Sequence, residues 1–177
     1  ARRWRKANAE HIAGQVRARD VDLIVVAFGG NERVDRDLSV EKHGREIRET
    51  LELFRAGAPK SACLLVGPLA HGYEGTKRLD PRLKTVGDAQ RQVANEVGCA
   101  YLDTALLMGG ESAVRTFRSK GWMGADLAHL NGKGHRELGR RIADWLWKRY
   151  GLWSEASDAD AGDYGPVWDS EPSGQGP

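Results

Sequence analysis

The chain has 177 residues, 40% hydrophobic and 29% charged, which suits one soluble domain with a sizeable core. No apolar run approaches the roughly 18 residues a membrane-crossing helix needs. The opening ARRWRK is not a basic-then-apolar leader, so the chain reads as a processed or truncated piece whose compartment stays open. The net charge of +2 hides an asymmetry: six of the 25 acids lie in residues 154–177, which hold no Lys or Arg, so 19 acids face 27 bases in residues 1–153.

In chain order, residues 4–19 place Ala9, Ile12, Ala13 and Val16 on one face of a predicted helix, with Trp4 about a turn and a half earlier and a basic outer face. LIVVAF (23–28) is apolar without alternation, which predicts a strand buried on both faces. It ends in Gly29-Gly30-Asn31-Glu32, where the chain can turn tightly. Ser39 caps a second helix with Val40, Ile47, Leu51 and Phe54 as apolar positions, closed by Gly57. Residues 62–66 form a second strand, stopped by Gly67-Pro68, and a polar loop from His71 to Arg78 leads to Asp80-Pro81, an N-cap and first-turn pair.

The helix that follows carries Leu83, Val86, Val93 and Val97 and stops at Gly98. Residues 99–102 are a third, short strand, residues 111–119 a short helix, and Asn131 caps a long last helix with Leu138, Ile142, Trp145, Leu146 and Tyr150. Cys63 and Cys99 fall in the strands and read as two inert core thiols. Residues 154–177, rich in Gly, Pro, Ser and Asp, read as an acidic tail, disordered or loosely docked, which leaves residues 1–153 as the domain. The basic residues are scattered along helix faces rather than clustered with aromatics, so they describe solvated faces and not a nucleic-acid site.

Alternating helices and strands predict parallel strands with crossover helices, a three-layer α/β/α sandwich. Ligands of such sheets bind outside the carboxyl ends of the strands. Two polar groups belong there or nearby. Asp126-Leu127-Ala128-His129 precedes the last helix, and its spacing lets the carboxylate fix one imidazole nitrogen while the other acts as a base. A structural cap is the alternative. Asn31 follows two glycines at a strand end, so its amide can donate to a developing oxyanion or hold its own turn.

Together these segments resemble the SGNH, or GDSL-type, hydrolases. Gly29-Gly30-Asn31 matches that family's Gly-x-Asn block, and Asp126-Leu127-Ala128-His129 its Asp-x-x-His block. APKSACLLVGP (58–68), AQRQVANEVGCAYLD (89–103) and MGG (108–110) are similar to bacterial carbohydrate and peptidoglycan O-acetylesterase-like members. The resemblance implies a flavodoxin-like sheet and an ester hydrolase with a Ser nucleophile. His129 would activate that Ser, Asp126 would orient His129, and Asn31 would complete the oxyanion hole. Gly30 and Glu32 are expected at the substrate, with no metal or organic cofactor. The implied partner is an acetylated carbohydrate or cell-wall polymer, and the implied location is the periplasm or cell surface.

The family's Gly-Asp-Ser block and its oxyanion Gly block are absent and are expected upstream of Ala1. The one Asp-Ser pair, Asp169-Ser170, lies in the acidic tail. Without the first two strands, 23–28 is left as an apolar edge, so an N-terminal segment or a partner chain is expected to cover it. Two readings compete with the esterase: a non-catalytic carbohydrate-binding or scaffold domain derived from such an enzyme, and a flavodoxin-like small-molecule receiver. His71 reads as a surface-loop residue with substrate contact as the alternative, and His43 and His11 as helix-face residues. His129 and His135 with Asp126 lack the further ligands of a metal site.

Overall fold

The computed structural model of the chain describes residues 7–159. Helix α1 (Ala9–Arg17) opens at Asn8, whose side chain accepts a hydrogen bond from the His11 N–H at 2.8 Å, and it buries Ala13. Trp4, which the spacing assigns to the same helix, lies outside the described residues. Strand β1 (Leu23–Ala27) runs into a 3-10 turn at Glu32–Val34. Helix α2 (Val40–Arg55) is capped by Ser39, whose hydroxyl accepts from the Lys42 N–H at 3.1 Å.

Strand β2 (Ala62–Val66) is followed by the loop to α3 (Arg82–Val97), where Asp80 Oδ1 accepts from the Arg82 N–H at 3.0 Å. Gly98, at φ +69°, ends that helix in the left-handed conformation its residue type permits. Strand β3 (Ala100–Leu102) leads into a single turn the sequence pattern does not announce, α4 (Thr104–Leu107), capped by Asp103. After a 3-10 turn at Gly110–Ser112 come α5 (Ala113–Ser119) and the long α6 (Gly132–Ala159). Asn131 caps α6 through the N–H groups of Lys133 and Gly134. The helix runs past residue 154, where the sequence places the start of the tail, and residues 160–177 lie outside the described residues.

The three strands are parallel in the order β1-β2-β3, with Ile24 beside Cys63 and Val26 beside Leu65. Those four side chains meet Ile47 and Leu51 of α2 and Val93 and Ala94 of α3 in one buried cluster, so both crossover helices cover the same face. α1 packs against α2, and Gly57 permits it: a Cβ there would stand 2.4 Å from the Ala13 carbonyl oxygen. Gly57 is thus a close-approach glycine rather than a left-handed helix stop.

Two expectations are corrected. β1 is not buried on both faces: Ile24 and Val26 are covered, whereas Leu23 and Val25 are 49% and 56% exposed. On that second face Leu64 of β2 and Leu102 of β3 are buried, so cover thins towards β1. Cys63 and Cys99 are not free thiols but a disulfide, Cα–Cα 4.7 Å, inside the main cluster. The parallel register, with Leu64 beside Ala100, brings the residue before β3 alongside Cys63, a proximity that 36 residues of separation conceal. A second apolar cluster joins Met108, Phe117, Met123, Leu127, Leu130 and Leu138 around the loops that precede α6.

Candidate active site

At the carboxyl end of β1 the chain turns where only glycine fits. Gly29 has φ +116°, and a Cβ on it would lie 2.7 Å from Val86 Cγ1 and 2.8 Å from Gln90 Nε2. The turn is braced from beneath. Gln90 of α3, fully buried, donates through Nε2 to the Phe28 carbonyl at 2.9 Å and faces His43 Nε2 at 3.4 Å. An amide nitrogen can only donate, so His43 accepts there and carries its proton on Nδ1. Burial pushes the His43 imidazole below its ordinary pKa, against the opposing pull of Glu32 and Glu46, and keeps it neutral. Glu32 is buried as well, and its Oε2 accepts from the Gly29 N–H at 3.1 Å. It therefore holds the turn from inside, while Asn31 beside it is exposed and its side chain makes no capping bond.

The second segment is held by its own atoms. Leu127 and Leu130 are buried in the second cluster and point Asp126 and His129 outward. Asp126 Oδ1 accepts from the N–H groups of Ala128 at 3.0 Å and His129 at 3.1 Å, and Oδ2 meets His129 Nδ1 at 2.6 Å. Leu127 takes φ +55° to close this turn, and the Gly124 N–H donates to the His129 carbonyl at 2.8 Å. The imidazole bond first, then the two backbone donors, hold the Asp126 carboxyl well below the usual carboxylate range. With Nδ1 donating to a carboxylate, His129 presents Nε2 as a lone-pair base. The pair is open: the side chains are 85% exposed for His129 and 53% for Asp126.

The loop after β2 joins the two segments. His71 donates from Nδ1 to the Leu69 carbonyl at 2.7 Å, and burial lowers its pKa. Its ring lies against Gly30, with Cε1 3.6 Å from where a Cβ would stand. The next residue, Gly72, donates to the Leu127 carbonyl at 2.7 Å, and a Cβ on it would meet Leu127 Cβ at 2.8 Å. His71 thus stands between the Asn31 turn and the Asp126–His129 turn, with Nε2 uncommitted. Its position in the loop beyond a strand's carboxyl end was the one sequence signal for this role.

None of Ser39, Ser61, Ser112 and Ser119 bonds to His129. Ser39 caps α2, and Ser61, Ser112 and Ser119 donate to backbone carbonyls. Asp169-Ser170 lies outside the described residues. No cluster of three metal-ligating side chains occurs among the described residues, and His135 sits within α6. A cleft of about 560 Å³ opens beside α3, lined among others by Asp80, Lys84, Arg91, Tyr101 and Glu111, but it reaches none of Asn31, Asp126 or His129. No described helix is long and apolar enough to cross a membrane.

The profile of the GDSL-like Lipase/Acylhydrolase family matches residues 1–137. No curated protein matches the chain. Among solved structures, a peptidoglycan O-acetylesterase is similar at TM-score 0.74 and 22% identity over 82% of this chain, which spans 42% of that one. A lipase/acylhydrolase from Enterococcus faecalis is similar at TM-score 0.55 and 17% identity, covering 79% of this chain and 68% of its own. A catalytic mutant of an acetylxylan esterase from Geobacillus stearothermophilus is similar at TM-score 0.51 and 22% identity, covering 77% and 66%. At these identities the structural likeness speaks for the α/β fold with its parallel sheet.

Proposed function

Because the chain belongs to the GDSL-like lipase/acylhydrolase family, we propose that the protein it forms part of is an ester hydrolase that removes O-acetyl groups from a carbohydrate or cell-wall polymer. The observation that carries this reading is the Asp126–His129 pair, bonded at 2.6 Å and open at Nε2, on the loop tied through Gly72 to the His71–Gly30 contact. In the proposed reaction a serine upstream of Ala1 attacks the ester carbonyl while His129 Nε2 takes its proton. Asp126, kept ionised by its three hydrogen bonds, fixes the tautomer and stabilises the imidazolium. Asn31 donates its amide to the oxyanion, the alcohol leaves with the proton from His129, and water then releases the acid by the same steps in reverse order.

The exposure of this pair and of Leu23 and Val25 fits a segment upstream of residue 1 that carries the serine and covers the outer face of β1. The disulfide supports a location outside the reducing cytosol, in the periplasm or at the cell surface. The test is hydrolysis of p-nitrophenyl acetate by the protein with its upstream segment. Wild type is expected to be active and His129→Ala to lose at least about a thousandfold. Equal rates for the two would remove His129 from the mechanism. An upstream segment without a strand running into Gly-Asp-Ser would favour the carbohydrate-binding reading instead.

A further inference from the structure

The proposed reaction leaves one imidazole of the site unused. His71 Nδ1 lies 2.7 Å from the Leu69 carbonyl, which can only accept, so the ring proton is on Nδ1 and Nε2 carries the lone pair. Burial lowers the pKa of the ring and keeps it neutral. Nε2 bonds to no described residue. Nor is it sealed: the enclosed side-chain atoms without a partner belong to Arg33, His43, Gln90 and Thr104. The His71 lone pair is therefore open to what enters the site.

Its place is set by both halves of the site. The ring lies against Gly30, with Cε1 3.6 Å and Nε2 3.9 Å from where a Cβ would stand, so glycine leaves that edge of the ring uncovered. Asn31 is the next residue. On the other side, Gly72 donates to the Leu127 carbonyl at 2.7 Å and ties the residue after His71 to the Asp126–His129 turn. In the proposed reaction the Asn31 amide meets the oxyanion and His129 Nε2 takes the serine proton, so both serve the ester group itself. His71 adds a group of the opposite polarity to Asn31, an acceptor that stands beside the ester. A sugar ester carries hydroxyl groups on the carbons that flank it. An O–H drawn into a site loses water and needs an acceptor there.

We propose that His71 Nε2 accepts a hydrogen bond from a hydroxyl on the carbon next to the one that bears the ester. The site then prefers monoesters of vicinal diols, as on the secondary positions of a sugar ring, to esters with no neighbouring donor. This rests on the esterase reading and names the substrate class of that same site. His71 is a substrate-binding residue in this account and moves no proton in bond making.

The experiment measures acetate release by the protein with its upstream segment from three methyl xylosides acetylated at O2. One has a free 3-hydroxyl, the second is its 3-deoxy analogue and the third its 3-O-methyl ether. Wild type is expected to show a kcat/KM about tenfold higher on the free-hydroxyl ester than on either analogue, each divided by its rate of hydrolysis by hydroxide. The deoxy compound removes the donor without adding bulk, so a loss with the ether alone would mark crowding and overturn the inference. His71→Ala is expected to bring the hydroxyl-to-deoxy ratio close to one, and His71→Gln, which keeps an acceptor oxygen, to restore part of it. A residue that only supported the loop would slow all three esters alike. A ratio unchanged by His71→Ala would therefore overturn the inference and leave the esterase reading intact. Hydrolysis of p-nitrophenyl acetate but of none of the three xylosides would do the same. Inactivity on all four would overturn the esterase reading, and the inference with it.

Discussion

The Asn31 turn and the Asp126–His129 turn are fixed by different means. The first depends on side chains far away in sequence: Gln90 under Phe28, His43 behind Gln90, and Glu32 folded back on Gly29. The second is closed by its own backbone around Asp126 Oδ1, with Leu127 and Leu130 as anchors. Defects anywhere in the α2–α3 layer should therefore reach Asn31. Defects in the proposed catalytic pair should come chiefly from its own residues and from Gly72, which holds the Leu127 carbonyl. The lesson is about range: one half of the site is a tertiary product and the other a local one.

The sharpest contrast comes from Asp126→Asn. Activity of the protein with its upstream segment should fall about a thousandfold or more, because the wrong imidazole tautomer is then favoured. The urea midpoint should stay where it was, since the Asp126 side chain is exposed and bonds only within its own turn. A large loss of stability would break the contrast. On the buried side, reducing the disulfide or replacing Cys63 and Cys99 with Ala should cost about 4 kcal/mol in urea titrations, from the separation of 36 residues it closes. An unchanged midpoint would mean the bond adds little to the layer beneath the turn.

Gln90→Leu is a smaller and more pointed change. It strips the Phe28 carbonyl of its buried donor at a cost of about 1–3 kcal/mol. Asn31 should drift, with about a tenfold loss in kcat, while the His129 imidazole resonances stay in place. If those resonances move, the two turns are not independent.

The smallest effect is in pH. Burial lowers the pKa of His43 in the fold, so the unfolded chain binds more protons once the pH falls below about 6.5. The stability from neutral His43 is present in full above that value. It is lost progressively as the pH falls towards the lowered, folded pKa. His43→Gln should flatten the stability curve just below pH 6.5, and an unaltered slope there would count against a buried neutral imidazole.

Much of this fold was legible in the sequence because its signals are local. Ser39 and Asn131 cap the helices assigned to them, Gly98 ends α3, and all three strands lie where short apolar runs place them. The misreadings share one cause, which is that each depends on what lies across space. A run such as 23–28 looks the same whether one face or two are covered, and Leu23 and Val25 prove open. The pairing of Cys63 with Cys99 needs the β2–β3 register, and the role of Gly57 needs α1 against α2. Glu32 and His71 are informative only once their loops fold, the one under Gly29 and the other between the two turns. The Asp126–His129 hydrogen bond was readable from spacing because both residues lie in one short turn before a capped helix.

The most direct test of one shared site is the rate at which the protein with its upstream segment reacts with a fluorophosphonate, which traps an activated serine. The account predicts one labelled serine upstream of residue 1, with labelling nearly abolished by His129→Ala and slowed by Asn31→Ala. Labelling at the wild-type rate in both variants would contradict it.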